Sequence, residues 1–477
     1  MDEKLDALEF AKETCKSVPA YKDFLQKIGI GTQQLEDLKD INFLPITDKE
    51  NYIRAYPLEQ HFPGGKIPSF VCASSGSSGS PTFWFRSSEQ ISTGAILHET
   101  ILRDIFQIKK EESTLAIICF SMGVWVAGSF TSASLLELAD KKDYRLTITT
   151  PGLEKGDILN ILKNLAPSFK NVILIGYPPF IMDIVSATHS SKIVLPKSFF
   201  ILTSGDKFSE TWRGDLMHHS GINKPEYVLS LYGTADAGPL AFETPLTIRF
   251  RQVLENNPLL RKEFQKTSSD LPGVFQYDER FLFLETEAAE LLITAKTAAP
   301  LIRYNIHDEC VLFAPTEALE LLKKEGASEQ ELADLKRWNS PIVIKGGRTD
   351  VAVTFYALNI YPENIQAGLS SAQISKKMSG QYFAYNKDTR NSTRQHLAIN
   401  IELTPKTKKT PALRKKIQAI IIDGLLKTNI EYRKLLTSIG KRAYPQIKLF
   451  TANDGGFKTP GARGILNLKG KKTRISN

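Results

Sequence analysis

The stretch FVCASSGSSGSPT, Phe70 to Thr82, sets a short apolar run directly against a loop of glycine and hydroxyl residues. FVCA suits a buried strand. Gly76 and Gly79 let the following backbone turn tightly and approach an anion, while Ser74, Ser75, Ser77, Ser78 and Thr82 bring hydroxyls and amides that donate to phosphate oxygens. By composition alone the segment reads more readily as a flexible linker than as a phosphate-gripping loop, but it does not stand alone. It lacks the GxxxxGK[ST] spacing, so a conventional P-loop nucleotide fold is not supported.

Working outward, the opening twenty-odd residues have the apolar spacing of one helix, and LPITDKENYIRAYP supplies a proline-marked turn with Thr47 as N-cap three residues before Glu50. Buried strands are expected at Leu115–Phe120, Val172–Gly176, Phe199–Thr203, Tyr227–Leu231 and Leu291–Thr294, with helical stretches between many of them. Strands alternating with helices predict an α/β fold with substantial sheet content. The last third changes character: QYFAYN, HLAINIEL and YPQIKLF alternate as strands, and Leu413, Ile417, Ile421 and Leu425 fall at helical spacing. This predicts a large N-terminal domain of β-sheets and packed helices, residues 1–347, and a small α+β C-terminal domain, residues 348–477. The glycines of IKGGRTD, Ile344 to Asp350, are where the chain is expected to turn between them.

A chain of 477 residues with 42% hydrophobic and 24% charged residues lies in the globular range, and its length favours two or three domains. The N-terminal residues lack the basic start and apolar run of a secretory signal, and no apolar stretch reaches the length of a membrane span, so a cytoplasmic protein without a membrane partner is expected. Cys15, Cys72, Cys119 and Cys310 lie far apart with no CxxC pair, which argues for reduced thiols and against structural zinc. The net charge of +9 is unevenly placed: Thr404 to Asn477 carries 18 Lys and Arg against 3 Asp and Glu, leaving the first 403 residues at −6. Such a tail suits nucleic acid, an acidic surface or a small polyanion.

Six segments together resemble the adenylate-forming superfamily, and within it phenylacetate-CoA ligase and its relatives. SSGSSGSPT resembles the family's SSGTTGKPT loop, LTSGDKFSE (Leu202 to Glu210) the segment beside adenine, and SLYGTADAG (Ser230 to Gly238) the YGxTE motif. PLIRYNIHDE (Pro300 to Glu309) is similar to PLIRYRTGD, GGRTDVAVTFYALNIYPENI (Gly346 to Ile365) to the hinge segment, and LKGKKTRI (Leu468 to Ile475) to the terminal EGKAKRV. They occur in family order, and VPAYKDFLQKIG with LPITDKENY extends the resemblance to the start of the chain.

The resemblance implies ATP, Mg²⁺, a carboxylic acid of aryl or arylacetic type, and CoA as second substrate. Ser74 to Gly79 and Thr82 would hold the β- and γ-phosphates, and Thr234 the α-phosphate. Ser204, Gly205, Asp206 and Tyr232 would lie beside the adenine, Asp308 would accept from the ribose hydroxyls, and Gly233 and Arg348 would also belong to the nucleotide site. Asp236 stands where the family has a Mg²⁺-binding glutamate, although TADAG is also good turn composition. An ordinary salt bridge with Arg303 is the alternative for Asp308. Lys471 would be the mobile catalytic lysine, with Lys469 or Lys472 as the alternative alignment, on a lid that reorients about Asp350. SMGVWVAG resembles the acyl-site segment GYGLFTGG, so Phe120, Met122, Gly123, Trp125 and Ala127 would contact the acid; core packing is the competing role.

The departures matter too. Ser80 replaces the loop lysine, Asp236 the glutamate, Asn305, Ile306 and His307 the family's RTG, and Tyr356 with Ala357 the RG pair beside the pantetheine channel. Three readings follow: a CoA ligase, an adenylating enzyme that passes the acyl group to an amine, hydroxyl or protein thiol, and a nucleotide- or partner-binding protein without turnover. Nucleic acid is not expected as a partner, because the chain lacks aromatic-basic interleaving. A homodimer is one expected assembly.

Overall fold

The strands TLAIIC (Thr114–Cys119) and NVILIG (Asn171–Gly176) are buried at every residue. In this computed structural model they are neighbours in the middle of a parallel array, as a strand apolar on both faces requires. The structure describes residues 4–473, apart from 75–81, 206–207, 265–271, 349–352, 357, 370, 372, 375–376, 389–394, 406, 452–464 and 468–471.

Among the described residues, an 11-stranded sheet runs in the order Leu282–Glu287, Glu290–Ala295, Leu301–Phe313, Ile342–Arg348, Gly273–Tyr277, Gly238–Phe242, Val228–Thr234, Ser198–Ser204, Asn171–Gly176, Thr114–Cys119, Leu146–Thr149. Its last five strands are parallel, and helices Val126–Lys142, Lys155–Asn164, Pro178–Ser190 and Glu210–Ser220 make the crossovers between them. Alternation along each strand feeds two cores. Ala116, Ile118, Ile173, Ile175, Phe200 and Leu202 face one side, while Leu115, Ile117, Val172, Leu174, Phe199 and Ile201 face the other. The fold is α/β with helices packed on a large sheet, as expected from the alternation in the sequence.

Residues 353–449 build a separate core of their own. There the strands Gln446–Thr451, Gln395–Leu403, Met378–Asp388, Ile465–Asn467 and Lys472–Thr473 form a sheet in that order, packed by helices Pro362–Leu369, Pro411–Thr428 and Ile430–Ile439. The helical stripe Leu413, Ile417, Ile421 and Leu425 is buried in this core.

Three local expectations are corrected. The first helix is two, Ala7–Ser17 and Pro19–Lys27, because Val18 is extended ahead of a proline that starts the second. Thr47 is not the cap of the next turn; Asp48 is, accepting from the amides of Glu50 and Asn51, while Thr47 is fully buried and donates its hydroxyl to the Ile302 carbonyl at 2.8 Å. The glycines near the expected boundary do not turn the chain. Gly346 and Gly347 lie within the strand Ile342–Arg348, where a Cβ on Gly346 would stand 2.7 Å from Glu309 Oε2.

Candidate active site

Parallel strands in an α/β sheet leave a crevice at their carboxyl ends. Here that crevice is a cavity of about 380 Å³, bounded by residues that follow or end Thr114–Cys119, Asn171–Gly176, Ser198–Ser204 and Val228–Thr234. Ser74, Phe120, Trp125, Ala127, Ser204, Gly205, Tyr232, Gly233, Thr234, Asp236 and Asp308 all line it. Met122 and Gly123 do not; the Met122 sulfur would be 2.6 Å from a Cβ on Gly128, which puts it against the backbone beside the cavity.

One end of the cavity is polar. The turn after Val228–Thr234 is clamped from below by Arg86, which is 1% exposed and donates to the carbonyls of Ala235 and, at 3.0 Å, Asp236. Burial pulls that guanidinium down to about 10, with Cys72 and Asp236 opposing the fall. Thr234 Oγ1 accepts the Ala237 amide at 3.0 Å, and the Asp236 carboxylate accepts the Tyr304 hydroxyl at 2.8 Å. Lys49 Nζ lies 3.7 Å from the same Asp236 oxygen.

Asp308 is 2% exposed and accepts the Tyr232 hydroxyl at 2.5 Å, with Lys345 Nζ at 3.3 Å. Arg303 does not pair with it, contrary to the ordinary salt-bridge alternative; its guanidinium goes to Glu285 and Glu287 instead. His307 sits at φ 60° and the pairing of Leu301–Phe313 with Ile342–Arg348 slips after Asp308, so irregular backbone aims this carboxylate. Tyr232 stacks on Phe275 with centroids 5.5 Å apart, leaving the face under Lys345. Ser204 Oγ donates to the Leu231 carbonyl at 2.9 Å, tying two adjacent strand ends.

The other end is apolar. Phe120 and Tyr177 meet edge to face at 5.8 Å, and Trp125, Phe130, Ile175 and Leu202 complete the wall. Burial pushes the Tyr177 hydroxyl up to about 12. His98 is 2% exposed; burial pulls its imidazole below the ordinary value, and its Nδ1 lies 2.7 Å from the Gly94 carbonyl. Among the described cavity residues, the large sheet and its helices contribute no Asp, Glu, Lys or Arg to this end.

Tyr356, Leu358, Tyr361, Glu431, Lys434 and Leu435 reach the cavity from the C-terminal unit, with Lys434 Nζ 4.6 Å above the Trp125 ring. Ser75 to Gly79, Asp206, Asp350 and Lys471 lie outside the described residues, as does the side chain of Arg348, whose backbone pairs with Asp308. Sequence reasoning missed Lys49, His98, Phe130 and Tyr177. Lys49 stands inside the quoted LPITDKENY, but only a structure brings that segment to Asp236.

No family model and no curated protein sequence matches the chain. Solved structures do. A structure of 2-hydroxyisobutyryl-CoA ligase with 2-HIB-AMP and CoA in the thioesterification state matches with TM-score 0.61 at 14% identity, covering 96% of this chain and 88% of that one. The chain has the fold of an adenylate-forming ligase. The same ligase in its postadenylation state matches with TM-score 0.51 at 15% identity over 95% and 86% of the two chains. In an open conformation the values are 0.50 and 14%, over 95% and 89%.

Proposed function

We propose that the protein activates a carboxylic acid with ATP and transfers the acyl group to CoA, as an AMP-forming ligase resembling phenylacetate-CoA ligase. The observation that carries this reading is that one cavity holds Thr234, Asp236 and Asp308 at one end and an aromatic wall at the other. In the first half-reaction an acid carboxylate oxygen attacks the α-phosphorus; the new O–P bond makes an acyl-adenylate as the bond to pyrophosphate breaks. Both reactants are anions, so preorganised donors and cations around the phosphorus supply the rate.

Thr234 donates to the α-phosphate, Asp308 accepts from the ribose hydroxyls beside Tyr232, and Ser74 with Thr82 begins and ends the loop toward the outer phosphates. Phe120, Trp125 and Ala127 bound the acid, whose aryl or arylacetic class fits the aromatic wall. Lys471 is assigned to the α-phosphate during adenylation, carried there by rotation of residues 348–477 about Asp350. In the second half-reaction the thiolate attacks the acyl carbon, forming C–S as the bond to AMP breaks.

Among the described residues no group of three or more metal-ligating side chains occurs. A lone carboxylate such as Asp236 nevertheless fits Mg²⁺, which keeps its waters and takes most remaining ligands from substrate phosphates. When bound, the ion would neutralise phosphate charge.

The neighbour in a thioesterification state supports CoA as acceptor. Tyr356 supports a second reading, transfer to an amine, hydroxyl or protein thiol. Its side chain is buried at the cavity wall with backbone at φ 49°, where the resemblance expects an arginine beside the pantetheine channel. The deciding experiment is acid-dependent pyrophosphate release from ATP and Mg²⁺ across aryl, arylacetic, fatty and amino acids, with and without CoA. Release with one acid, and a thioester product with CoA, is expected. Turnover that ignores CoA but responds to an amine would select the second reading, and silence across the panel would refute both.

A further inference from the structure

The loop between Ser74 and Thr82 reads SGSSGSP and contains no cation, so the charge that an anionic triphosphate needs must come from elsewhere. Among the described residues the lysines lining the cavity are Lys49, Lys345 and Lys434. Lys345 is paired with Asp308 at 3.3 Å, and Lys434 lies over Trp125 at the apolar end. Lys49 alone of the three stands beside Asp236.

Its surroundings hold it there. Asp48 caps the turn Lys49–Ile53 through two amides, with Asn51 returning a side-chain bond to the Asp48 amide. One residue earlier, Thr47 is pinned to the Leu301–Phe313 strand by its amide to Arg303 and its carbonyl to Asn305. The Lys49 ammonium lies 5.6 Å from the Trp84 ring centroid, and the Trp84 indole donates to Ser74 Oγ at 3.3 Å. Ser74 and Thr82 are paired at the end of the hairpin, next to the Trp84 indole that Lys49 approaches. With 26% of its side chain exposed, Lys49 keeps access to the cavity while its stem is packed.

We infer that Lys49 binds the outer phosphates of ATP, supplying from the N-terminal segment the cation that Ser80 leaves out of the loop. This rests on the reading of the cavity as an ATP site. A purely structural lysine would serve Asp236 alone, and its loss would disturb nucleotides with and without the outer phosphates alike. A phosphate ligand would discriminate between them.

The test is calorimetric titration of the full-length chain with ATP and, separately, AMP. It needs neither the acid nor the acceptor. Lys49→Met should weaken ATP binding about 10- to 100-fold, the range for a hydrogen bond to a charged group, and leave AMP binding within about twofold. Lys49→Arg should retain most of the ATP affinity. Lys345→Met, acting beside Asp308, should weaken both nucleotides. Equal losses for ATP and AMP in Lys49→Met, or no loss for either, would overturn the inference while leaving the ATP site standing. Wild-type protein that binds neither nucleotide would overturn the functional reading and the inference with it.

Discussion

Asp308, at 2% exposure, has a tyrosine hydroxyl and an ammonium as partners, and that partnership is what a ribose diol would join. Asp308→Asn keeps the shape and removes the charge. It should weaken ATP and AMP equally, by about 10- to 100-fold, as measured by the same titrations. His98 gives a pH signature. Burial keeps it neutral in the fold below the pKa of about 6.5 at which an unfolded chain takes up a proton. Its contribution to stability is therefore present above pH 6.5 and fades as pH falls below it. Urea midpoints should drop from pH 7.5 to pH 5.5, and the drop should be shallower in His98→Gln; an identical slope in the variant would assign the effect elsewhere. At this scale the sequence marked Asp236 and Asp308 only through motif position. It gave no sign that Tyr304 and Tyr232 hold them, because those contacts join residues 68 and 76 positions apart.

Among the elements, helices Pro362–Leu369 and Pro411–Thr428 cross at glycine. A Cβ on Gly424 would lie 2.6 Å from the Gly368 amide nitrogen and 2.8 Å from its Cα, both backbone atoms that cannot step aside. Alanine would gain up to about 1 kcal/mol in helix propensity, against about 1–3 kcal/mol for overpacking a close crossing. Gly424→Ala is expected to destabilise the unit built on residues 353–449, seen as a lower urea midpoint; a raised midpoint would mean that the helices part at little cost. The strands were legible because a run such as NVILIG, buried on both faces, needs nothing beyond its own composition to be read. The cap at Asp48 was not legible, since Thr47 and Asp48 both qualify locally and the choice fell to pairing with a strand 255 residues away.

For the whole molecule, the question is which face the C-terminal unit turns to the cavity. Lys434 over Trp125, Tyr356 in the wall and the salt bridge from Arg442 to Asp183 at 2.7 Å join it to the large sheet and its helices. Under the proposed rotation, Lys471 acts in adenylation and not in thioester formation. Lys471→Ala should then lower adenylation about 100-fold or more, while thioester formation from supplied acyl-adenylate and CoA stays near the wild-type rate. Equal loss in both half-reactions would refute a lysine specific to the first.

The sequence by itself determined the alternation of buried strands and helices, the separate character of the last third, and the order of the motif segments. These are properties of short stretches, fixed by periodicity and by the backbone freedom of a few residues. Tertiary structure alone decided that LPITDKENY meets the turn at Asp236, that Arg303 leaves Asp308 to Tyr232 and Lys345, and that Met122 misses the cavity its neighbours line. Each depends on segments far apart in the chain sharing one crevice, where burial and charge choose the partners and local spacing has no say.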